Sequence, residues 1–320
     1  MTATHISEAA GRRVVPVRHY GQWAAAIVVL ALAGALVWQV ATRSVVRWEL
    51  IFSRVGATAI LEGMTMTVLL TVVSMIVGAA LGVVVAVMRV SGNRMLASAA
   101  WLFVWIFRGT PLLVQILIWF NLALFIPTIG FGAAEISLNV LISPFTAAIL
   151  ALALNEAAYV SEIVRGGLLS VDRGQYEAAD ALGMGRGQAL RRIILPQAMR
   201  SILPPMGNEL VTLLKETSLV SVIGAGELLY RARQIGAADY SVIEMLLVAS
   251  VWYLILTTIA GILQGWLERR FSQSLQQRQP GWAARMFGFR RDRGGEPALL
   301  TGPAPVIATT DSVRTDGGSR

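Results

Sequence analysis

Long apolar runs separated by short polar turns fill most of the chain. Six of them are long enough to cross about 30 Å of hydrocarbon, which takes roughly 20 helical residues. They cover residues 22–42, 58–88, 97–126, 143–164, 201–225 and 243–267. Helices satisfy their own backbone in lipid, so the pattern predicts an all-α polytopic membrane protein. Residues 1–21 form a basic tail before the first run. That run exceeds the core of a secretory signal, and its small-residue triplets at 31–35 lie inside it, so it reads as an uncleaved anchor. Beyond Gln279 the chain turns to Gly, Pro, Thr and Arg, which predicts a disordered basic tail over 280–320.

The third run is too long, since 30 helical residues would reach about 45 Å. Arg108, Gly109, Thr110 and Pro111 supply a helix break, because proline lacks a backbone donor and pushes the residue before it out of helical geometry. Residues 97–107 then read as an interfacial or protein-buried segment and 111–126 as the span proper; the alternative is one long tilted helix with a proline kink. In the fifth run, Asn208, Glu209, Thr212, Lys215 and Glu216 fall within an arc of about 120° at 100° per residue. Ionisable groups in a span cost roughly 3 kcal/mol each and face a bundle interior or an aqueous cavity. The stripe therefore either lines a translocation path or a subunit interface beside it, or locks helices together.

Between the fourth and fifth runs lies a polar island, Asp172 to Pro196, DRGQYEAADALGMGRGQALRRIILP. Asp172 followed by Gln175 has the form of an N-cap with its capping box, and Glu177 suits the early turns of the helix dipole. Gly183 ends that helix, a second runs from about Arg186 to Ile194, and Pro196 marks where it stops and the next span begins. Ala178, Ala179 and Ala181 leave room for another protein surface to approach. The same features suit an amphipathic helix resting on lipid headgroups, and composition does not separate the two readings.

Weaker signals carry plain readings. Gly78 with Gly82, and Gly261 with Gly265, have the spacing of close helix packing. Glu227 and Glu244 read as solvated interfacial groups, the alternative being members of an outer gate. Glu156 and Glu162 are placed at the cytoplasmic end of the fourth span, with Glu162 paired to Arg165.

Composition supports the membrane reading: 55% of residues are hydrophobic, 14% are charged, and mean hydropathy is +0.63. With no cysteine, and with His5 and His19 both in the N-terminal tail, no metal site can be assembled. The net charge of +8 reflects arginines in short loops, where they hold topology and attract anionic lipid, so nucleic acid is not an expected partner. With the N-terminus inside, eleven short-segment arginines are cytoplasmic (12, 13, 18, 89, 94, 165, 173, 186, 191, 192 and 200) against five outside (43, 47, 54, 231 and 233). Seven more between Arg269 and Arg293 place the C-terminus inside as well.

The run Glu177-Ala178-Ala179, three residues, Gly183, nine residues, then Ile193, one residue and Leu195-Pro196 resembles the EAA loop of permease subunits from binding-protein-dependent ABC importers. NEAAYVSEIVRGGLLSV at 155–171, RGTPLLVQ at 108–115 and LPPMGNELVTLLKETSLVSVIG at 203–224 are similar to that family's polar amino acid branch, the histidine, glutamine and glutamate type. The resemblance covers residues 58–270 and implies a type I importer permease fold with a five-helix core. The helix at 22–42 is an addition that moves the N-terminus inside.

The resemblance further implies that the loop at 165–200 docks on a cytoplasmic ATPase dimer, with Glu177, Ala178, Ala179 and Gly183 on the docking helix and Ile193, Leu195 and Pro196 tying it to a span. A second permease subunit, identical or sister, and an extracytoplasmic amino-acid-binding protein are the other implied partners. The single lysine, Lys215, follows Thr-Leu-Leu, so no GxxxxGK[ST] phosphate loop exists. This chain is thus expected to catalyse nothing and bind no cofactor; ATP and magnesium belong to the partner ATPase. The rival classes are an ion-gradient transporter, which usually carries matching broken helices in two halves against the one break seen here, and a non-transporting membrane anchor or sensor.

Overall fold

A computed structural model of the chain describes residues 20–42, 46–130 and 135–271. The expected tails at 1–19 and 280–320 lie outside them. The helices are α1 (Tyr20–Thr42), α2 (Trp48–Arg54), α3 (Thr58–Val90), α4 (Arg94–Gly109), α5 (Leu112–Phe120), α6 (Leu138–Leu141) and α7 (Pro144–Leu169). After them come α8 (Arg173–Ala181), α9 (Arg186–Ala189), α10 (Leu195–Glu216), α11 (Leu228–Ala238) and α12 (Val242–Phe271). One minimal antiparallel pair, β1 (Thr128–Ile129) and β2 (Ile136–Ser137), sits before α6, with Thr128 opposite Ser137. The fold is otherwise helical, as an apolar chain in lipid requires.

The centre is α7, a helix buried along much of its length between α3, α4, α5 and α10. It runs parallel to α3 at very close range. A Cβ on Gly78 would lie 2.8 Å from Glu156 Cβ, and one on Gly82 would lie 2.7 Å from Val160 Cβ. Only glycine permits that approach. The other expected pair, Gly261 and Gly265, has nothing within 4 Å of either position among the described residues.

Because α3 and α7 are parallel, the chain between them must return to the end where α3 began. The return is made by α4 and α5, which meet at 104° across residues 110–111. The bend rules out the alternative of one kinked helix, and the length of α5 corrects the expected span. The bend is too sharp for a kinked continuous helix, and α5 stops at Phe120, so 111–126 does not make a span alone. Nine residues of α5 rise about 13 Å, and α4 supplies the rest of the crossing.

α10 runs antiparallel to α7. Their junction is a cluster of Val160, Val164, Val171, Ile194, Ala198 and Ile202 closed by Ala86 of α3. α12 then runs antiparallel to α10, with Gln264 against Gly207. The α-helix expected over 201–225 instead starts at Leu195 and ends at Glu216, followed by a 3₁₀ stretch from Thr217 to Ile223 that stops at left-handed Gly224 (φ 76°). At the opposite end of the bundle, Ile51 of α2 joins Ile60, Leu228, Ala232, Met245, Val248 and Ala249 in a second core. Every residue of α1 whose exposure is described is open, which suits a helix surrounded by lipid.

Glu227 and Glu244 both correct the expectation of interfacial solvation. Glu227 is fully buried: it caps α11 by accepting from Leu229 N (2.7 Å) and Tyr230 N (2.6 Å), and it accepts from the Tyr253 hydroxyl (2.8 Å). Glu244 lies buried under Arg47, with Nε 2.9 Å from Oε1.

Candidate functional site

Three elements hold the residues singled out in the sequence: the polar knob, the helix break and the stripe on α10. In the knob, Asp172 Oδ1 accepts from Gly174 N at 2.7 Å and starts α8. The capping box does not close: Gln175 Oε1 accepts from Gln197 Nε2 (3.2 Å) and so ties α8 to α10 instead. Tyr176 adds a second tie by donating to the carbonyl of Leu168 (3.1 Å).

The helix ends in a Schellman turn, with Gly183 N on Asp180 O and Met184 N on Ala179 O, both at 3.0 Å, and Gly183 at φ 67°. Glu177 and Ala178 are exposed, as are Ala181 and Gly183. Ala179 is fully buried inside the knob, which corrects its expected place on the open face. Glu177 makes only a long 3.7 Å pair with Arg173, both side chains lying largely in solvent. Leu182 is 77% exposed, an apolar tip on a polar knob.

The second short helix does not stop at Pro196. α9 passes through a π-turn at Leu190–Ile194 directly into α10. Pro196 has no N–H to give to residue 192, and the widened turn accommodates that missing bond without breaking the helix. Ile193 is half-buried, Leu195 and Pro196 are exposed, and Ile194 is the residue that enters the core.

At the break, α4 ends at Gly109, Thr110 is extended and Pro111 leads α5. The freed groups are satisfied from the side. Gln115 Nε2 donates to Phe107 O (2.9 Å) and Thr110 Oγ1 (2.8 Å), while Asn155 Nδ2 donates to Phe107 O (3.0 Å) and Gln115 Oε1 (3.2 Å). Irregular backbone at membrane depth requires such partners. Arg108 projects beside the break, its guanidinium 5.0 Å from the centre of the Tyr159 ring. It borders a cavity of about 460 Å³ lined also by Arg89, Trp101, Trp105, Tyr159 and Glu162. Glu162 pairs with Arg165 as expected (2.7 Å) and also with Arg89.

The five stripe residues do not converge. Asn208 Oδ1 accepts from Gln264 of α12 (3.0 Å) and locks two helices. Glu209 and Glu216 turn toward α7, where their charges act on Glu156. Thr212 is half-buried between. Lys215 is exposed into a separate cavity of about 260 Å³, bordered by Ser218, Ser250 and Tyr253.

Glu156 is not at the end of its span. It lies midway along α7, 3% exposed, with Oε1 buried and without a hydrogen-bond partner. Sequence reasoning gave no role to Gln115, Asn155 or Tyr159. The available signal was a lone amide in the apolar run 111–120, since a polar group in a span needs a partner.

The bundle that carries these elements is similar to known proteins. The family of binding-protein-dependent transport system inner membrane components matches residues 78–273. The chain belongs to that family. The match contains the knob, the break and the α10 stripe, and leaves α1 and α2 outside. The arginine transport system permease protein ArgU of Corynebacterium glutamicum is 44% identical over 81% of this chain and 82% of its own length. The glutamine transport system permease protein GlnP of Escherichia coli K12 is 35% identical over 66% of this chain and 92% of its own. A chain from the crystal structure of an amino acid ABC transporter with histidines superimposes with a TM-score of 0.59 at 37% identity, covering 66% of this chain and 94% of that one. The protein is a membrane permease subunit with an ABC importer permease fold.

Proposed function

We propose that this permease subunit carries a polar amino acid into the cell as one half of a permease pair, moved by a separate ATPase dimer and supplied by an extracytoplasmic binding protein. The observation that carries the reading is the continuous path from knob to span: α8, stopped by Gly183, is tied by Gln175 and Tyr176 to α10 and α7, and α9 enters α10 without a break. A force on the exposed Glu177–Ala178–Gly183 face therefore reaches α10 as rigid-body motion. Ala179 supports that face from inside, and Ile193, Leu195 and Pro196 form the join. The knob and both termini are cytoplasmic in this reading. This chain does no chemistry, and ATP with magnesium acts on the partner.

Glu209, Thr212, Lys215 and Glu216, with Glu156, are assigned to the path, and Asn208 to helix locking. The amino acid class is supported by relatives named for arginine, nopaline and glutamine transport. The test is reconstitution of the chain with its ATPase and binding protein in liposomes. ATP-dependent uptake of arginine or glutamine is the expected result. Uptake driven by an ion gradient without nucleotide overturns it.

A further inference from the structure

We propose that the cavity between α3, α4 and α7 binds the phosphodiester of an anionic membrane phospholipid, with Arg108 and Arg89 on the phosphate and Trp101 and Trp105 along the glycerol and upper acyl chains. The site is separate from the transport path assigned above, and lipid binding tests it without reference to uptake.

The cavity stands where a headgroup would. Arg89 is the last residue but one of α3, and Glu162 lies about two turns before α7 ends and the knob begins. The space of about 460 Å³ that both residues line therefore sits toward the knob end of the bundle, and it is within the range of small-molecule sites. Trp101 and Trp105 stack with ring centroids 6.2 Å apart and planes 12° apart, and they are 54% and 61% exposed. Indole rings left open in this way collect at membrane–water interfaces, with the ring against acyl chains and the N–H toward headgroups. Leu102 and Ile106 of α4 and Val83, Val87 and Val90 of α3 are exposed as well. Two of the three helices that line the cavity thus present apolar surface suited to lipid.

The charge is unbalanced in favour of an anion. Glu162 gives one oxygen to Arg89 and the other to Arg165, which stands outside the lining. Arg108 has no carboxylate at ion-pair distance among the described residues and rests over the Tyr159 ring. Three guanidinium groups around one carboxylate leave an excess of two positive charges. A phosphodiester carries one negative charge on two free oxygens, which a guanidinium fork meets in two parallel bonds. Glu162 is the acidic group of the lining and is already shared by two arginines, so no acceptor remains for the ammonium of a zwitterionic headgroup. The cavity therefore selects an anionic lipid over a zwitterionic one.

Native mass spectrometry of the purified permease, titrated with phosphatidylglycerol and with phosphatidylcholine of the same acyl chains, tests this. Wild type is expected to bind phosphatidylglycerol roughly tenfold or more tightly, the worth of one charge-assisted pair. In Arg108→Gln the ratio falls toward one, and Arg108→Lys keeps an intermediate ratio because an ammonium attracts phosphate as a point charge. Arg94→Gln, at an exposed arginine of α4 outside the lining, keeps the wild-type ratio. An unchanged ratio in Arg108→Gln overturns the proposal, as does a wild type that holds both lipids equally. An equal loss in Arg94→Gln also overturns it, since that is attraction to surface charge in general. Displacement of phosphatidylglycerol by inorganic phosphate, or by free arginine or glutamine, makes the cavity a site for a soluble anion or solute and likewise overturns it.

Discussion

Gly82 sets how near α7 comes to α3, because a Cβ there would meet Val160 at 2.7 Å and the carbonyl of Ala157 at 2.9 Å. Gly82→Leu is expected to lower the thermal midpoint of the purified permease by the equivalent of about 1–3 kcal/mol or more, the usual cost of overpacking; Gly265→Leu, in open space, leaves it unchanged. Glu227 offers a second test. Burial pushes its carboxyl above the ordinary value, against the hydrogen bonds from Leu229, Tyr253 and Tyr230. The folded state then holds the proton more tightly than the unfolded state. Its contribution is fully present below the ordinary carboxyl value of about 4.3 and is lost as pH rises through the folded value. Thermal unfolding from pH 4 upward should therefore fall more steeply for wild type than for Glu227→Gln, and Glu227→Ala should cost about 1–2 kcal/mol by removing the α11 cap. The spacing of Gly78 and Gly82 made their packing legible from sequence. The burial of Glu227 was not, because Tyr253, which donates to it, and Thr67, which accepts from the N–H of the next residue, Leu228, come from distant helices.

Two elements carry most of the functional argument, the knob and the break. The knob depends on Gly183, whose positive φ lets Met184 and Gly183 satisfy the last carbonyls of α8. Gly183→Val is expected to destabilise that turn by about 1–2 kcal/mol. Uptake by the reconstituted transporter should drop several-fold while thermal unfolding of the bundle stays near wild type; full uptake would remove the knob from coupling. At the break, Gln115→Leu leaves the Phe107 carbonyl with one partner fewer and should cost about 1–3 kcal/mol. The helix stop and the break lay in local chemistry, Gly at one and Gly-Thr-Pro at the other. The continuity of α9 with α10 did not, because a proline reads as a stop until a π-turn is seen to absorb it.

At the scale of the molecule, α7 parallel to α3 requires a return crossing between them, and the cavity at Arg108 lies beside the break in that crossing. The N-terminal region is built differently. α1 is exposed throughout its described side chains, whereas α2 is pinned by Arg47 to Glu244, by Arg54 to Asp239 (2.8 Å), by Ile51 in the core, and by Trp252 Nε1 donating to Val55 O (2.9 Å). Removing residues 1–45 is expected to leave the thermal midpoint of the permease unchanged, and removing residues 1–57 to lower it by several degrees. Equal midpoints would mean that α2 contributes nothing to the bundle.

The apolar runs and the polar island between them determined the helical membrane architecture and the place of the knob. They could do so because local composition decides whether a segment lies in lipid, and lipid leaves its backbone no partner but itself. The sequence holds no GxxxxGK[ST] phosphate loop, which is why the ATPase role is proposed for a partner. Only the tertiary structure decided which polar groups act together. It split the stripe of α10 between α12 and α7, moved Glu156 to mid-span without a partner, and turned the break into a locked support for Arg108. Those outcomes depend on how close two helices far apart in sequence can come, and helical periodicity gives a residue's face without naming the neighbour that face will meet.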